Sequence, residues 1–173
     1  MPPSDIGSGH LVLVGLMGSG KSTVGRLVAA RLHRPFYDSD EMVEARTGRT
    51  VREIFESDGE AAYRPLETEA LLDALAAPEP SVIAAAGGVV LAPVNRDALR
   101  ERAGRVVWLR ASPALLVSRA MRQDHRPLLD DDPAEMLARM AADRQELYAE
   151  VADEIIDIDD LSPEQVAERV LVP

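Results

Sequence analysis

The sequence contains no cysteine. Disulfides, thiolate metal sites and cysteine nucleophiles are thereby excluded. Basic residues are in short supply, 19 lysines and arginines against 30 aspartates and glutamates, for a formal charge of −11. Such a surface would repel a nucleic-acid backbone over most of its extent, so nucleic acid is not expected as a partner. Any anionic small molecule must be met by arginines gathered locally. Long apolar runs are missing too. The longest, Val82 to Val94, is interrupted by Gly87, Gly88 and Pro93, short of the roughly 18–20 residues that a membrane span requires. Met1 to Gly9 show neither the basic nor the apolar part of a secretory signal. A loose tail over 1–9, no membrane contact and a cytoplasmic setting are expected.

What remains has the composition of an ordinary globular chain: 173 residues, 46% hydrophobic and 28% charged. That length suits one domain over 1–173 with a substantial core. No internal repeat, low-complexity tract or linker interrupts it, and neither His10, His33 nor His125 stands at metal-ligand spacing.

One stretch fits G-x-x-x-x-G-K-[ST] without a mismatch: Gly15-Leu16-Met17-Gly18-Ser19-Gly20-Lys21-Ser22. Leu11 to Val14 before it reads as a buried strand, and Thr23 to Leu32 behind it has helical spacing. This is the setting of a phosphate-binding loop. Its glycines let backbone N–H groups wrap a polyphosphate, and the new helix presents its positive dipole end to the same anion. Lys21 can reach the β- and γ-phosphates, and Ser22 can offer an oxygen to Mg²⁺.

Further strands are expected at Pro35 to Asp38, Val82 to Ala86, Arg105 to Leu109 and Glu154 to Ile158. Helices are expected after Thr50, which opens a capping box with Glu53, and over Ala61 to Leu75 and Pro93 to Arg102. Ser112-Pro113, Asp132-Pro133 and Ser162-Pro163 are cap-and-proline starts for three more. Met121 to Asp132 has no apolar period and reads as a charged loop. Five strands alternating with helices imply an α/β fold, a parallel sheet covered on both faces. Ligands of such sheets bind at the carboxyl ends of the strands.

Several polar residues collect at those ends. Asp38 and Asp40 are two apart, so on an extended strand both would face one side. One could hold Mg²⁺ and the other accept a proton from an attacking hydroxyl; a polar turn capping the next helix is the alternative. Arg144 lies in an apolar helical stripe with Leu137, Met140, Leu147 and Tyr148. It must face either an anionic ligand or an internal carboxylate. Arg64 lies on a similar line, with Glu60 and Glu67 as alternative partners. Arg119, Arg122 and Arg126 bracket the aperiodic loop, which is either a plain connection or a lid over the nucleotide. Gly87-Gly88 allows close backbone approach to a ligand, or simply turns the chain.

Together these residues resemble the shikimate kinases, a family of small P-loop kinases, from about Leu11 to about Leu171. Beyond the phosphate loop the similarity rests on Asp38-Ser39-Asp40, on Gly59-Glu60-x-x-Tyr63-Arg64-x-x-Glu67 after Ile54-Phe55, and on Gly87-Gly88. It continues through Arg126-Pro127-Leu128-Leu129 and Arg144-x-x-Leu147-Tyr148. The resemblance implies a three-layer P-loop kinase sandwich around a five-stranded parallel sheet, with a mobile lid over about 121–132. It implies a monomer that transfers the γ-phosphate of ATP to the 3-hydroxyl of shikimate, with Mg²⁺, in the route to aromatic amino acids. Gly18, Ser19, Gly20, Lys21, Ser22 and Thr23 would hold the nucleotide, with Arg119 near the adenine and Arg126 supplied by the lid. Ser22 and Asp38 would serve the metal. Asp40, Arg64, Gly87, Gly88 and Arg144 would hold shikimate, and Lys21, Asp40 and Arg126 would carry the chemistry. Ala86 stands where the family usually has a third glycine, Tyr63 replaces the common phenylalanine, Pro65 follows Arg64, and Asp159-Asp160 lie where some members offer an arginine to the adenine. A gluconate kinase is the alternative, since gluconate is also a polyhydroxylated carboxylate.

Overall fold

Leu11 and Leu13 alternate with Val12 and Val14 along the first strand, and all four are fully buried. A strand apolar on both sides has to be covered on both sides. In the computed structural model, which describes residues 7–122 and 132–172, Leu11 and Leu13 pack with Val24 and Val28 on one face of the sheet and with Val166 and Val170 beside them. Val12 and Val14 face the other way, toward Leu71, Leu99, Leu116 and Leu137.

The elements run β1 (His10–Val14), α1 (Lys21–Leu32), β2 (Phe36–Asp38), α2 (Ser39–Thr47), α3 (Val51–Asp58), α4 (Glu60–Leu75), β3 (Val82–Ala84), α5 (Pro93–Arg102), β4 (Ala103–Arg110), α6 (Pro113–Ala120), α7 (Pro133–Val151), β5 (Glu154–Asp157) and α8 (Pro163–Leu171). The sheet is parallel, in the order β2-β3-β1-β4-β5. Helices α1 and α8 cover one face; α4, α5, α6 and α7 cover the other. From β1 the chain leaves toward β2, and from β4 it leaves toward β5, so a crevice opens between the carboxyl ends of β1 and β4. The expected three-layer α/β sandwich with its five-stranded parallel sheet is what forms.

Start signals act where the sequence places them. Thr50 and Glu53 make a reciprocal capping box, and Ser112, Asp132 and Ser162 cap the helices that open with Pro113, Pro133 and Pro163. Helix α4 passes through Pro65 in its second turn. The ring removes the N–H that would have met the Ala61 carbonyl, and the helix carries on to Leu75. At the amino end, Gly7 and Gly9 are tied down by the Arg34 guanidinium, which donates to both carbonyls at 3.0 and 3.2 Å. Among the described residues no helix is long and apolar enough to cross a membrane.

Candidate active site

The loop after β1 turns twice through left-handed backbone, at Gly18 (φ 84°) and Gly20 (φ 87°). A side chain at either position would be strained, which is why the motif needs glycine there. Helix α1 then starts at Lys21 with no side-chain cap, so its first N–H groups stay available to an anion. Ser19 is 2% exposed, and its hydroxyl has no hydrogen-bond partner among the described residues. The glycine turn and the uncapped start of α1 leave backbone N–H groups available to a phosphate on the cavity wall. Lys21, the only lysine of the sequence, donates to the Gly15 and Leu16 carbonyls at 2.7 and 3.0 Å. Arg119 reaches across from α6 to the Gly18 carbonyl at 2.7 Å.

Strand β2 ends at Asp38, as expected, and helix α2 begins at Ser39, so the extended run that would have put Asp38 and Asp40 on one side does not form and the capping alternative holds. Asp38 is the cap of α2: its Oδ1 accepts from the Asp40 and Glu41 N–H groups at 3.0 and 3.3 Å. Its Oδ2 accepts from the Ser22 hydroxyl. The cap and the contact with Ser22 therefore use different oxygens of one carboxylate. Ser22 and Asp38 form an oxygen-only donor pair beside the phosphate loop, which suits Mg²⁺ that takes its other ligands from phosphate and water. Among the described residues there is no group of three or more histidines and carboxylates that would bind a metal unaided.

Asp40 comes to the same place by another route, one residue into the helix. Burial pushes its carboxyl above the ordinary range; the hydrogen bond from Tyr63 opposes that, and the Asp38 charge adds to it. A cavity of about 510 Å³ is lined by Gly18, Gly20, Lys21, Ser22, Thr23, Asp38, Asp40, Gly87, Arg119 and Pro163, among others. Phosphate loop, paired Ser22–Asp38 and Asp40 thus share one space.

The arginines divide. Arg64 pairs with Glu60 and Glu67, donating to the two Glu67 oxygens at 2.9 and 3.0 Å. Glu67 is 2% exposed. Its burial raises the carboxyl pKa, and the Arg64 guanidinium works against that shift. So the internal pairing raised for Arg64 is what the structure contains. Together with Gly88, Arg64 borders a neighbouring depression instead of the main cavity. Arg144 is 6% exposed; its guanidinium donates a hydrogen bond to the Tyr148 hydroxyl, and its charge acts on the buried Glu67 carboxylate. It lies behind Gly87, about where a Cβ on that glycine would stand 3.7 Å from its Nη1.

Gly87 and Gly88 do not turn through positive φ. Their need is room: a Cβ on Gly88 would lie 1.8 Å from the Arg64 Nη1. Ala86, in place of a third glycine, donates its N–H to the buried Ser39 hydroxyl at 2.8 Å. The Tyr148 hydroxyl donates to the Gly87 carbonyl, and burial pushes that hydroxyl up to about 12. Asp159 accepts from the Ser112 N–H at 2.9 Å and so ties the end of β5 to the start of α6. Arg126 and most of the expected lid, 123–131, lie outside the described residues.

Sequence reasoning missed three contributors. Tyr63 read only as a replacement for phenylalanine, Ser39 only as part of the Asp38-Ser39-Asp40 element, and Pro163 as a helix start. Each acquires its role through a contact between distant segments, which no local pattern announces.

A parallel α/β sheet with a phosphate loop at its switch point, and a carboxylate facing that loop across a cavity, defines a P-loop phosphotransferase. Within that class the match is specific. The shikimate kinase family's sequence profile covers residues 17–172. The shikimate kinase of Symbiobacterium thermophilum is 48% identical over 165 residues, 94% of each chain. A shikimate kinase from Acinetobacter baumannii, solved in complex with shikimate, superposes with a TM-score of 0.91 at 35% identity, covering 99% of this chain and 95% of that one. A gluconokinase from Sinorhizobium meliloti reaches a TM-score of 0.62 at 22% identity, over 95% and 90% of the two chains, a likeness of fold alone. The chain belongs to the shikimate kinase family.

Proposed function

We propose that this chain transfers the γ-phosphate of ATP to the 3-hydroxyl of shikimate, giving shikimate 3-phosphate and ADP for aromatic amino-acid synthesis. The observation that carries the reading is the shared cavity in which Lys21 and Asp40 face each other. The loop from Gly18 to Thr23 cradles the phosphates with its N–H groups, and Lys21 exchanges its carbonyl contacts for phosphate oxygens. Arg119 and Pro163, on the cavity wall, flank the adenine. Mg²⁺ held through Ser22 and Asp38 would supply neutralising charge to the β- and γ-phosphates.

Asp40 receives the acceptor hydroxyl. As the hydroxyl oxygen bonds to the γ-phosphorus and the bond to ADP breaks, its proton passes to the carboxylate. A carboxyl raised by burial is a better proton acceptor than an exposed one. Arg144 grips the acceptor's carboxylate with two parallel N–H bonds, which would add an ion pair to its hydrogen bond with Tyr148. Gly87 lines that side, Arg64 and Gly88 support it from the neighbouring depression, and Arg126 meets charge on the transferring group from the lid. The chain is expected to act as a cytoplasmic monomer.

Gluconate offers the same carboxylate and hydroxyls, so the acceptor is tested directly. ADP release is measured with shikimate, with gluconate and with neither, and the product is weighed by mass spectrometry. Shikimate-dependent ADP release with a matching phosphorylated product is expected. Equal release in all three samples overturns the reading.

A further inference from the structure

The Tyr63 ring is fixed before any substrate arrives. It belongs to a small core of its own, with Val43, Ile54 and Ala70 from the neighbouring helices α2, α3 and α4. It is 3% exposed. The Phe55 ring centre lies 4.8 Å from its own, and the Arg64 guanidinium stands 5.7 Å from its centroid. A phenol has only two side-chain torsions, so a ring locked by packing delivers its hydroxyl to one point. That point is Oδ1 of Asp40, across 23 residues of sequence.

The hydroxyl adds little to the packing. A phenylalanine would fill the same core without a polar group to desolvate. Burial, with the Asp40 and Glu67 charges added, pushes the Tyr63 hydroxyl far above the ordinary phenol range. It therefore stays protonated and donates. Asp40 has a different problem. The last torsion of an aspartate is broad and nearly two-fold, so an unheld carboxylate samples many orientations. For proton transfer, orientation counts.

We infer that Tyr63 is a positioning residue: its hydroxyl holds Oδ1 of Asp40 and leaves Oδ2 presented to the acceptor hydroxyl. This rests on the reading of Asp40 as the acceptor-side carboxylate. The small core of α2, α3 and α4 thereby sets the aim of the reacting group, and the tyrosine acts through Asp40 without touching the phosphates.

The test is a two-by-two set, Tyr63→Phe and Asp40→Ala alone and combined, with kcat and both KM values measured. Tyr63→Phe keeps the ring and its packing, so the variant should fold cooperatively, with Tm lowered only by the loss of one hydrogen bond. Its kcat should fall by roughly ten- to thirty-fold, with the KM for ATP within about two-fold of the parent. Added to Asp40→Ala, the same change should cost nothing more, because the residue through which it acts is gone. A parent-like kcat in Tyr63→Phe overturns the inference, as does an equal further loss in the Asp40→Ala background. Parent-like turnover in Asp40→Ala alone overturns the role of Asp40 and this inference with it.

Discussion

The phosphate end and the acceptor end of the site are built from different materials. The phosphate end is nine consecutive residues, Gly15 to Thr23, and its ligand surface is mostly backbone N–H with one lysine. The proposed acceptor end draws on side chains from α2, α4 and α7 and on the Gly87-Gly88 backbone after β3, and its side chains are already engaged with one another. Arg64 is held by two glutamates, Asp40 by Tyr63, and Arg144 by the Tyr148 hydroxyl. A backbone cradle can be used by any nucleoside triphosphate. A set of pre-aimed side chains can be specific, because a wrong acceptor leaves buried polar groups unpaired.

The sharpest way to break this division is at the two aspartates. Asp40→Asn should lower kcat by about 10²–10⁴-fold, with no recovery at raised Mg²⁺. Asp38→Asn should recover in part as Mg²⁺ is raised, because its oxygen meets Ser22 on the phosphate side. Equal rescue of both in steady-state assays would place the two carboxylates in one role and erase the boundary drawn between the ends.

Next in size is Arg126. If it meets charge on the transferring phosphoryl group, Arg126→Ala should lower kcat by about 10²-fold or more with little change in shikimate affinity. Single-turnover rates with separately measured affinities decide this. A near-normal kcat would make the loop a connection and leave Lys21 as the cation for the transfer.

A smaller effect sharpens the acceptor end alone. Burial raises the Glu67 carboxyl, and Arg64 opposes that. A raised acid favours the fold while protonated, so stability falls as pH rises from the unfolded value through the folded one. Arg64→Met removes the opposing charge, so the folded value moves further up and the decline extends to higher pH. Tm measured across about pH 4 to 8 should show a longer downward slope in the variant than in the parent. Parallel curves would mean that Glu67 draws its compensation from elsewhere.

The same division explains what was legible in the sequence. A strand, a glycine-rich turn and a helix in succession spell a phosphate loop because contiguous residues do the binding. The sheet was legible for a like reason: Leu11 to Val14 alternate between two apolar faces, and the cap-and-proline pairs start α6, α7 and α8 where they stand. The acceptor end was legible only as a set of residue types. An arginine in the apolar stripe of α7 announces an unusual partner, but that Arg144 meets the Tyr148 hydroxyl and acts on the Glu67 carboxylate of another helix depends on how α4 and α7 pack. For Asp38 and Asp40 the sequence left an extended pair and a helix cap both open; the cap forms, because Asp38 satisfies the first helical N–H groups. Tyr63 was indistinguishable from a core aromatic until its hydroxyl was placed.

Arg144 offers the most direct test of a side-chain-built acceptor site beside a backbone-built nucleotide site. Calorimetric titration of Arg144→Ala with shikimate, and separately with ATP and Mg²⁺, compares the two ends in one protein. Shikimate binding should weaken by about 2–5 kcal/mol, since the ligand's carboxylate would be left without its partner, while ATP binding stays within about 0.5 kcal/mol of the parent. Arg144→Lys should recover only part of the loss, because an ammonium cannot form the paired N–H contacts. Unchanged shikimate affinity in the folded variant, or equal weakening of both ligands, would contradict the account.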